Sequence, residues 1–390
     1  MIEGQGSERT FTRLRYGMIG GGRDAFIGDV HRKAIAMDGK AELVAGCFSR
    51  DADNTRVTGE ALGLDPERLY AGWEEMLESE GRRKDGIDFV VIVTPNNTHF
   101  PMAKKALENG IHVVCDKPLV TSSRDGEELV RLAGEKDLLF GVTYTYTGYP
   151  VVKNMRDFIA GGGLGSIRFV NAEYPQDWLA TPLEKTGQKQ SAWRADPAQS
   201  GASNCVGDIG SHIENMVFYL TGLEITRLCA RLDTFVEGRL LDDNASIMLD
   251  YAGGARGLYW SSQIAVGNDN GLRVRIYGDK ASLEWSQENP NYFRVSHLDQ
   301  PTQLLSRGRD PMSPRAEAVS RIPAGHPEGY FEAFANLYTT FITALGKKLG
   351  GVDMTEDDLD FPTLLDGIRG VRFIEKCVES SGRGSAWVEF

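Results

Sequence analysis

Between Arg15 and Thr147, short apolar runs alternate with stretches whose apolar residues recur at helical spacing. YGMIGG (16–21), ELVAGCF (42–48), IDFVVIVT (87–94), HVVC (112–115) and LLFGVTYTY (138–146) read as strands. Helices are expected between them, near Val30–Met37, Asp53–Leu62, Trp73–Glu80, Pro101–Asn109 and Arg124–Lys136. The third run is apolar on both faces, as a central parallel strand covered by helices on each side should be. Repeated strand–helix–strand units predict an α/β doubly wound Rossmann sheet over residues 1–148, a dinucleotide-binding domain.

The pattern changes after Pro150. One helix (151–160) ends in Gly161–Gly163, and longer strands follow at 166–174, 225–236, 244–251, 255–265 and 272–278. In the last, Leu272, Val274 and Ile276 alternate with Arg273, Arg275 and Tyr277, so one face packs and the other is polar. Turns such as AGGA (252–255) predict a large open, mostly antiparallel sheet in an α+β domain over 149–390. Two closing helices are expected near 328–346 and 362–380, and the Pro-, Arg- and Ser-rich segment 299–326 reads as a surface loop.

Charge and cysteine content narrow the function classes. A formal net charge of −12 over 390 residues, with acids along the whole chain, gives no footprint for nucleic acid or anionic lipid. Five cysteines without CxxC spacing read as reduced thiols, and the six histidines form no paired metal-ligand motif, so no metal is expected. The N-terminal segment lacks an apolar targeting core, and no run reaches the ~18 apolar residues of a membrane span, which points to the cytoplasm.

The first strand runs into GGGRDAFIGDVH (20–31). Gly20 and Gly22 allow a tight turn and close approach of a pyrophosphate, and the following helix opening at Ala25, Phe26 and Ile27 offers its N-terminus. The third glycine of the usual fingerprint is either replaced by Ala25 or displaced to Gly28 by an insertion. At the end of the second strand, Ser49 and Arg50 stand where an acid would grip the ribose of NAD; a hydroxyl and a guanidinium suit the 2′-phosphate of NADP. NADP is therefore the expected cofactor, with NAD the alternative through Asp51 or adenine stacking by Arg50.

Ligands of doubly wound sheets bind beyond the carboxyl ends of the strands. Two such ends carry Thr94, Pro95, Asn96 and His99, and Asp116-Lys117-Pro118. Further on, VGDIGSHIENMVFYLTG (206–222) sets Asp208 and His212 four residues apart, on one face if the segment is helical. The domain order and these motifs resemble the glucose–fructose oxidoreductase / inositol dehydrogenase family (Gfo/Idh/MocA) over nearly the whole chain. That family carries Glu-Lys-Pro where this sequence has Asp116-Lys117-Pro118. The resemblance implies a cis peptide before Pro118, a Lys117 touching nicotinamide ribose and substrate, and an Asp-x-x-x-His pair on the first turn of a helix. His212 would take the substrate hydroxyl proton, Asp208 would orient substrate or ring, and Lys117 would stabilise the developing alkoxide.

Tyr146, Tyr174, Gln176, Trp193 and Arg194 cluster around these motifs as an aromatic and hydrogen-bonding set suited to a sugar ring. Arg194 could equally read an anionic group on a modified sugar. The expected activity is NAD(P)-dependent oxidation of a secondary alcohol of a sugar, sugar derivative or cyclitol, by a homodimer or homotetramer. The same residues could instead run redox-assisted glycoside cleavage through a transient 3-keto sugar. A catalytically silent dinucleotide-binding regulator is the third possibility, opposed by the joint presence of Lys117, Asp208 and His212.

Overall fold

The computed structural model describes residues 13–23, 25–309 and 311–390. The N-terminal segment read above for targeting signals falls mostly outside them. Strands β1 (Leu14–Gly20), β2 (Ala41–Cys47), β3 (Phe89–Val93), β4 (His112–Cys115) and β5 (Phe140–Val142) form a parallel sheet of order β2-β1-β3-β4-β5. Helices α1 (Phe26–Met37), α2 (Ala52–Ala61), α3 (Trp73–Arg82), α4 (His99–Glu108) and α5 (Ser123–Glu135) connect them. Every residue of β3 is buried, which is why its sequence carries no polar alternation. The fifth strand is shorter than expected, because the chain turns into a 3₁₀ segment at Thr145–Gly148.

Beyond α6 (Pro150–Ala160) lies a sheet of nine strands in the order β13-β12-β11-β10-β6-β9-β8-β7-β14. These are β6 (Ile167–Pro175), β7 (Ile225–Asp233), β8 (Asn244–Tyr251), β9 (Arg256–Ser262), β10 (Arg273–Gly278), β11 (Ala281–Ser286), β12 (Tyr292–His297), β13 (Gln303–Ser306) and β14 (Val388–Glu389). All neighbours pair antiparallel except β6 and β9, whose parallel register runs from Phe169↔Arg256 to Pro175↔Ser262. Short helices α7 (Lys189–Arg194) and α8 (Pro197–Ser200) and the longer α9 (Ser211–Thr221) separate β6 from β7. The chain closes with α10 (Pro314–Ala318), α11 (Tyr330–Leu349) and α12 (Leu364–Gly382).

One sequence expectation fails in this region. The segment 299–326 is not a plain surface loop: it contains β13 and α10, and it is pinned by the buried Arg307. That guanidinium donates to the Ile322 carbonyl (2.6 Å) and Asn291 Oδ1 (3.0 Å) and pairs with Glu328 (2.9 Å). A buried, fully engaged arginine reads in sequence like any loop arginine.

The last helices return to the first sheet. Phe334, Leu337, Tyr338, Phe341 and Leu345 of α11 pack with Leu14, Met18, Phe89, Val91 and Val114, covering one sheet face. Ile368 and Val371 of α12 join the core on the opposite face with Val90 and Ile92. Burying each such side chain is worth on the order of 2 kcal/mol. The two sheets are thereby fixed to a common set of helices, and Lys117 after β4 reaches Asp208 in the turn that leads into α9.

Candidate active site

Gly20 (φ 86°) and Gly21 (φ 71°) end β1 in the left-handed region, where side chains are strained. A Cβ on Gly20 would stand 2.4 Å from the Val93 carbonyl oxygen, and one on Gly28 only 2.3 Å from the Gly21 Cα. Gly28 is thus the third glycine, the point where α1 touches the turn; Ala25 is the N-cap residue outside that contact. Among the described residues no side chain caps α1, and its N-terminus opens beside the glycine turn, which fits a pyrophosphate. Arg32 Nη1 holds the turn from behind through the Gly21 carbonyl (2.7 Å). Phe26 opens the helix at 68% exposure, while Ile27 packs partly on the core. Gly28→Ala is expected to cost ~1–3 kcal/mol by forcing helix from turn. Denaturant unfolding checks the loss, and titration of the dinucleotide should show weaker binding alongside it.

At the end of β2 the acid is already engaged. Asp51 is the N-cap of α2, its carboxylate accepting from the Asp53 N–H (3.0 Å), and its own N–H donates to Ser49 Oγ (3.1 Å). Arg50 is exposed and makes no ion pair among the described residues.

The two loops at β3 and β4 are tied to each other. The buried His99 ring reaches the Thr94 carbonyl with Nε2 (2.9 Å) and the Pro118 carbonyl with Nδ1 (2.9 Å). Asp116 Oδ1 accepts from the Lys117 N–H (2.9 Å) and Thr143 Oγ1 (2.8 Å), and the Lys117–Pro118 peptide is cis. Thr94 Oγ1 accepts from Thr98 Oγ1 (2.7 Å), and Pro95 precedes a short 3₁₀ turn. Asn96 donates its amide to the Ser200 carbonyl (3.0 Å), so it joins the first domain to α8.

Lys117 projects from this turn onto Asp208. Its Nζ donates to Asp208 Oδ1 (2.8 Å) and to the Asp208 backbone carbonyl (2.5 Å). An ammonium has three N–H donors, so one stays available to a third oxygen. Asp208 does not sit on the first turn of an α-helix, as expected, but in a π turn at Val206–Gly210 that feeds α9. Ser211 N–H reaches back five residues to the Val206 carbonyl, and the wider turn resets the angle between Asp208 and His212. The turn is anchored at its start by Asp242, which accepts from Asn204 N (3.0 Å), Val206 N (3.1 Å) and Ser203 Oγ (2.9 Å).

Asp208 Oδ2 meets Arg194 Nε at 3.3 Å and accepts from Gln263 Nε2 (2.9 Å). The arginine contact is ionic: Nε lies near the oxygen but outside hydrogen-bond angles. Arg194 is stacked on Trp193 (4.4 Å from guanidinium to ring centre) and held by Gln190 Oε1 (2.6 Å). Burial alone would push the Asp208 carboxyl up, but the charges of Arg194 and Lys117 overrule it and hold it well below the usual carboxylate range.

His212 lies under an aromatic shell, its ring centre 4.8 Å from Tyr146, 5.5 Å from Tyr144 and 6.2 Å from Tyr174. Burial pushes its pKa well below 6.5, helped by the Lys117 charge and only partly opposed by Asp208. The imidazole is therefore neutral near pH 7 and able to accept a proton. Tyr146 and Tyr174 share a hydroxyl hydrogen bond, and Asn270 joins Tyr174 (2.5 Å) to Gln176 (2.8 Å).

Of the residues expected from sequence, Lys117, Asp208, His212, Arg194, Tyr146 and Tyr174 thus converge. Gln176 and Trp193 support neighbours in the same wall, one through Asn270 and the other under Arg194. Sequence reasoning missed Gln263 and Asn270, which no motif spacing marks.

The chain matches the family model "Oxidoreductase family, NAD-binding Rossmann fold" over residues 14–144 and the "GFO/IDH/MocA C-terminal domain" over residues 152–284. It is 39% identical over 383 residues to an uncharacterised oxidoreductase of Bacillus subtilis, covering 97% of each chain. It is 25% identical to the levoglucosan dehydrogenase of Pseudarthrobacter phenanthrenivorans, covering 96% of this chain and 98% of that one. Among solved structures, an inositol dehydrogenase homologue from Azotobacter vinelandii complexed with NAD+ superposes with a TM-score of 0.94, at 39% identity and full coverage of both chains. With these likenesses over nearly the whole length, this chain belongs to the Gfo/Idh/MocA family as an NAD(P)-dependent dehydrogenase.

Proposed function

We propose that the protein oxidises a secondary alcohol of a cyclitol or sugar to the ketone, or runs the reverse, with His212 as the proton acceptor. One observation carries the reading: Asp208 binds Lys117 through Oδ1 while a desolvated, neutral His212 stands beside it. The nicotinamide dinucleotide, when bound, supplies the hydride acceptor. His212 takes the hydroxyl proton on a ring nitrogen, and the remaining Lys117 N–H donates to the substrate oxygen as negative charge develops there. Asp208 keeps Lys117 charged and in place and offers a carboxylate oxygen to a neighbouring substrate hydroxyl. The tyrosine wall supplies the flat apolar surface that ring C–H faces require. Residues 1–148 would serve the dinucleotide and 149–390 the substrate, with α11 packed back on the first sheet.

The substrate class is supported by relatives. A neighbouring structure at 39% identity is described as complexed with NADH and myo-inositol, and another at 25% with NADH and levoglucosan. Absorbance at 340 nm across a panel of inositols, anhydrosugars and free sugars, with NAD and NADP in parallel, tests the reading. One substrate giving reduced cofactor supports it; no reduction with any polyol, in either direction, removes it.

Cofactor preference turns on Arg50 in this reading. Asp51 is committed to capping α2, and Arg50 is exposed with no ion pair among the described residues, which supports acceptance of a 2′-phosphate alongside the NAD bound by neighbouring structures. Arg50→Ala is expected to lower kcat/KM with NADP ~10-fold while leaving NAD nearly unchanged, the scale of one charge-assisted contact. Equal loss with both cofactors would deny Arg50 that role.

We also read the outer face of the nine-stranded sheet as a homo-oligomer contact. Phe169, Met248, Leu258 and Tyr277 stand 37%, 48%, 39% and 40% exposed there, with Met248↔Leu258 and Phe169↔Tyr277 as register partners. Light scattering should give a multiple of 42.9 kDa; a monomer mass at micromolar concentration would rule the contact out.

A further inference from the structure

Gln263 follows β9 and is wholly buried, its backbone N–H donating to the Asp243 carbonyl (2.9 Å). Its side-chain amide bridges two groups: Oε1 accepts from Asn204 Nδ2 (2.7 Å) and Nε2 donates to Asp208 Oδ2 (2.9 Å). An ionised carboxylate can only accept, so the amide must turn its NH₂ to Asp208. Asn204, itself fully buried, enforces the same sense by offering an N–H on the far side. Its own Oδ1 is buried and meets no donor among the described residues.

The backbone also ties Asn204 to Asp208. Asn204 N–H is held by Asp242, and its carbonyl accepts from the Asp208 N–H (2.7 Å). A side chain that merely filled the space behind Asp208 would need none of this polarity.

We infer that Gln263, with its amide sense set by Asn204, is a positioning residue for the Asp208 carboxylate. It turns Oδ1 to Lys117 and leaves the outer lone pair of Oδ2 to a substrate hydroxyl. Arg194 Nε approaches Oδ2 without hydrogen-bond geometry, so it takes no acceptor position of that oxygen. The inference rests on the proposed role of Asp208 in the polyol reaction.

Three substitutions test it, each read as kcat/KM relative to wild type across pH. Gln263→Leu is expected to lose roughly ten- to a hundredfold, the effect of one hydrogen bond to a charged group, with the dinucleotide dissociation constant unchanged. Gln263→Glu should lose as much at alkaline pH and recover as pH falls. A protonated carboxyl there can again accept from Asn204 and donate to Asp208, whereas the ionised form cannot. Asn204→Asp should lose activity as well, because its carboxylate competes with Asp208 for the single Gln263 NH₂. A loss in Gln263→Glu that stays constant with pH, or wild-type activity in Asn204→Asp, overturns the inference, and both remain informative where Gln263→Leu fails to fold. Asp208→Asn separates the two levels: retained activity there removes the functional reading itself, while its loss beside a pH-independent Gln263→Glu removes only the positioning role.

Discussion

His212→Ala is expected to lower kcat by about 10²–10⁴-fold, the usual contribution of a placed general base, while dinucleotide affinity is little changed. The ring touches Tyr144, Tyr146 and Tyr174 rather than the glycine turn, so its loss leaves the pyrophosphate site intact. The pH dependence carries the sign of its environment. Oxidation needs the neutral imidazole, which is present above the His212 pKa. Because burial and Lys117 lower that pKa below 6.5, the wild-type enzyme should keep its oxidation rate to pH values below the ordinary histidine range. Steady-state rates from pH 5 to 9 check this, and an acidic limb above 6.5 would contradict the neutral, desolvated imidazole.

Lys117→Met is expected to cost ~10²–10³-fold in kcat, the scale for removing one preorganised donor from a developing oxyanion. A second consequence follows from the ion pair. Lys117 is among the charges that hold Asp208 ionised and His212 neutral. Without it the carboxyl is left to Arg194 and Gln263, and the His212 pKa rises, so the acidic limb of the variant should move upward. A rate loss with an unmoved limb would mean that Lys117 acts on substrate alone. Full activity would deny Lys117 a part in catalysis.

The sequence made the first sheet plain because each of its strands is a short apolar run and β3 is buried on both faces. The dinucleotide turn and the Lys117, Asp208 and His212 motifs were legible as well, since each lies at a strand end or helix entry. Two things were not. The stripe Phe334-Tyr338-Phe341-Leu345 announces an amphipathic helix, yet nothing in its spacing says that it covers Met18 and Phe89 rather than the nearer sheet. Gln263 follows an ordinary strand, and its meaning arises only when β9 brings it beside Asn204 and Asp208. The choice between Ala25 and Gly28 was likewise a matter of space, decided by where α1 meets Gly21. Segment 299–326 was misread because Arg307 is buried by partners outside the segment, among them Asn291 and Glu328.

The most direct measurement is the stoichiometry of reduced cofactor to ketone with one accepted polyol, followed together by absorbance at 340 nm and product analysis. A dehydrogenase built on His212 and Lys117 gives one reduced dinucleotide per ketone formed, and His212→Ala abolishes both in parallel. Aglycone release from a glycoside with no net reduced cofactor would contradict it and assign the same residues to redox-assisted cleavage.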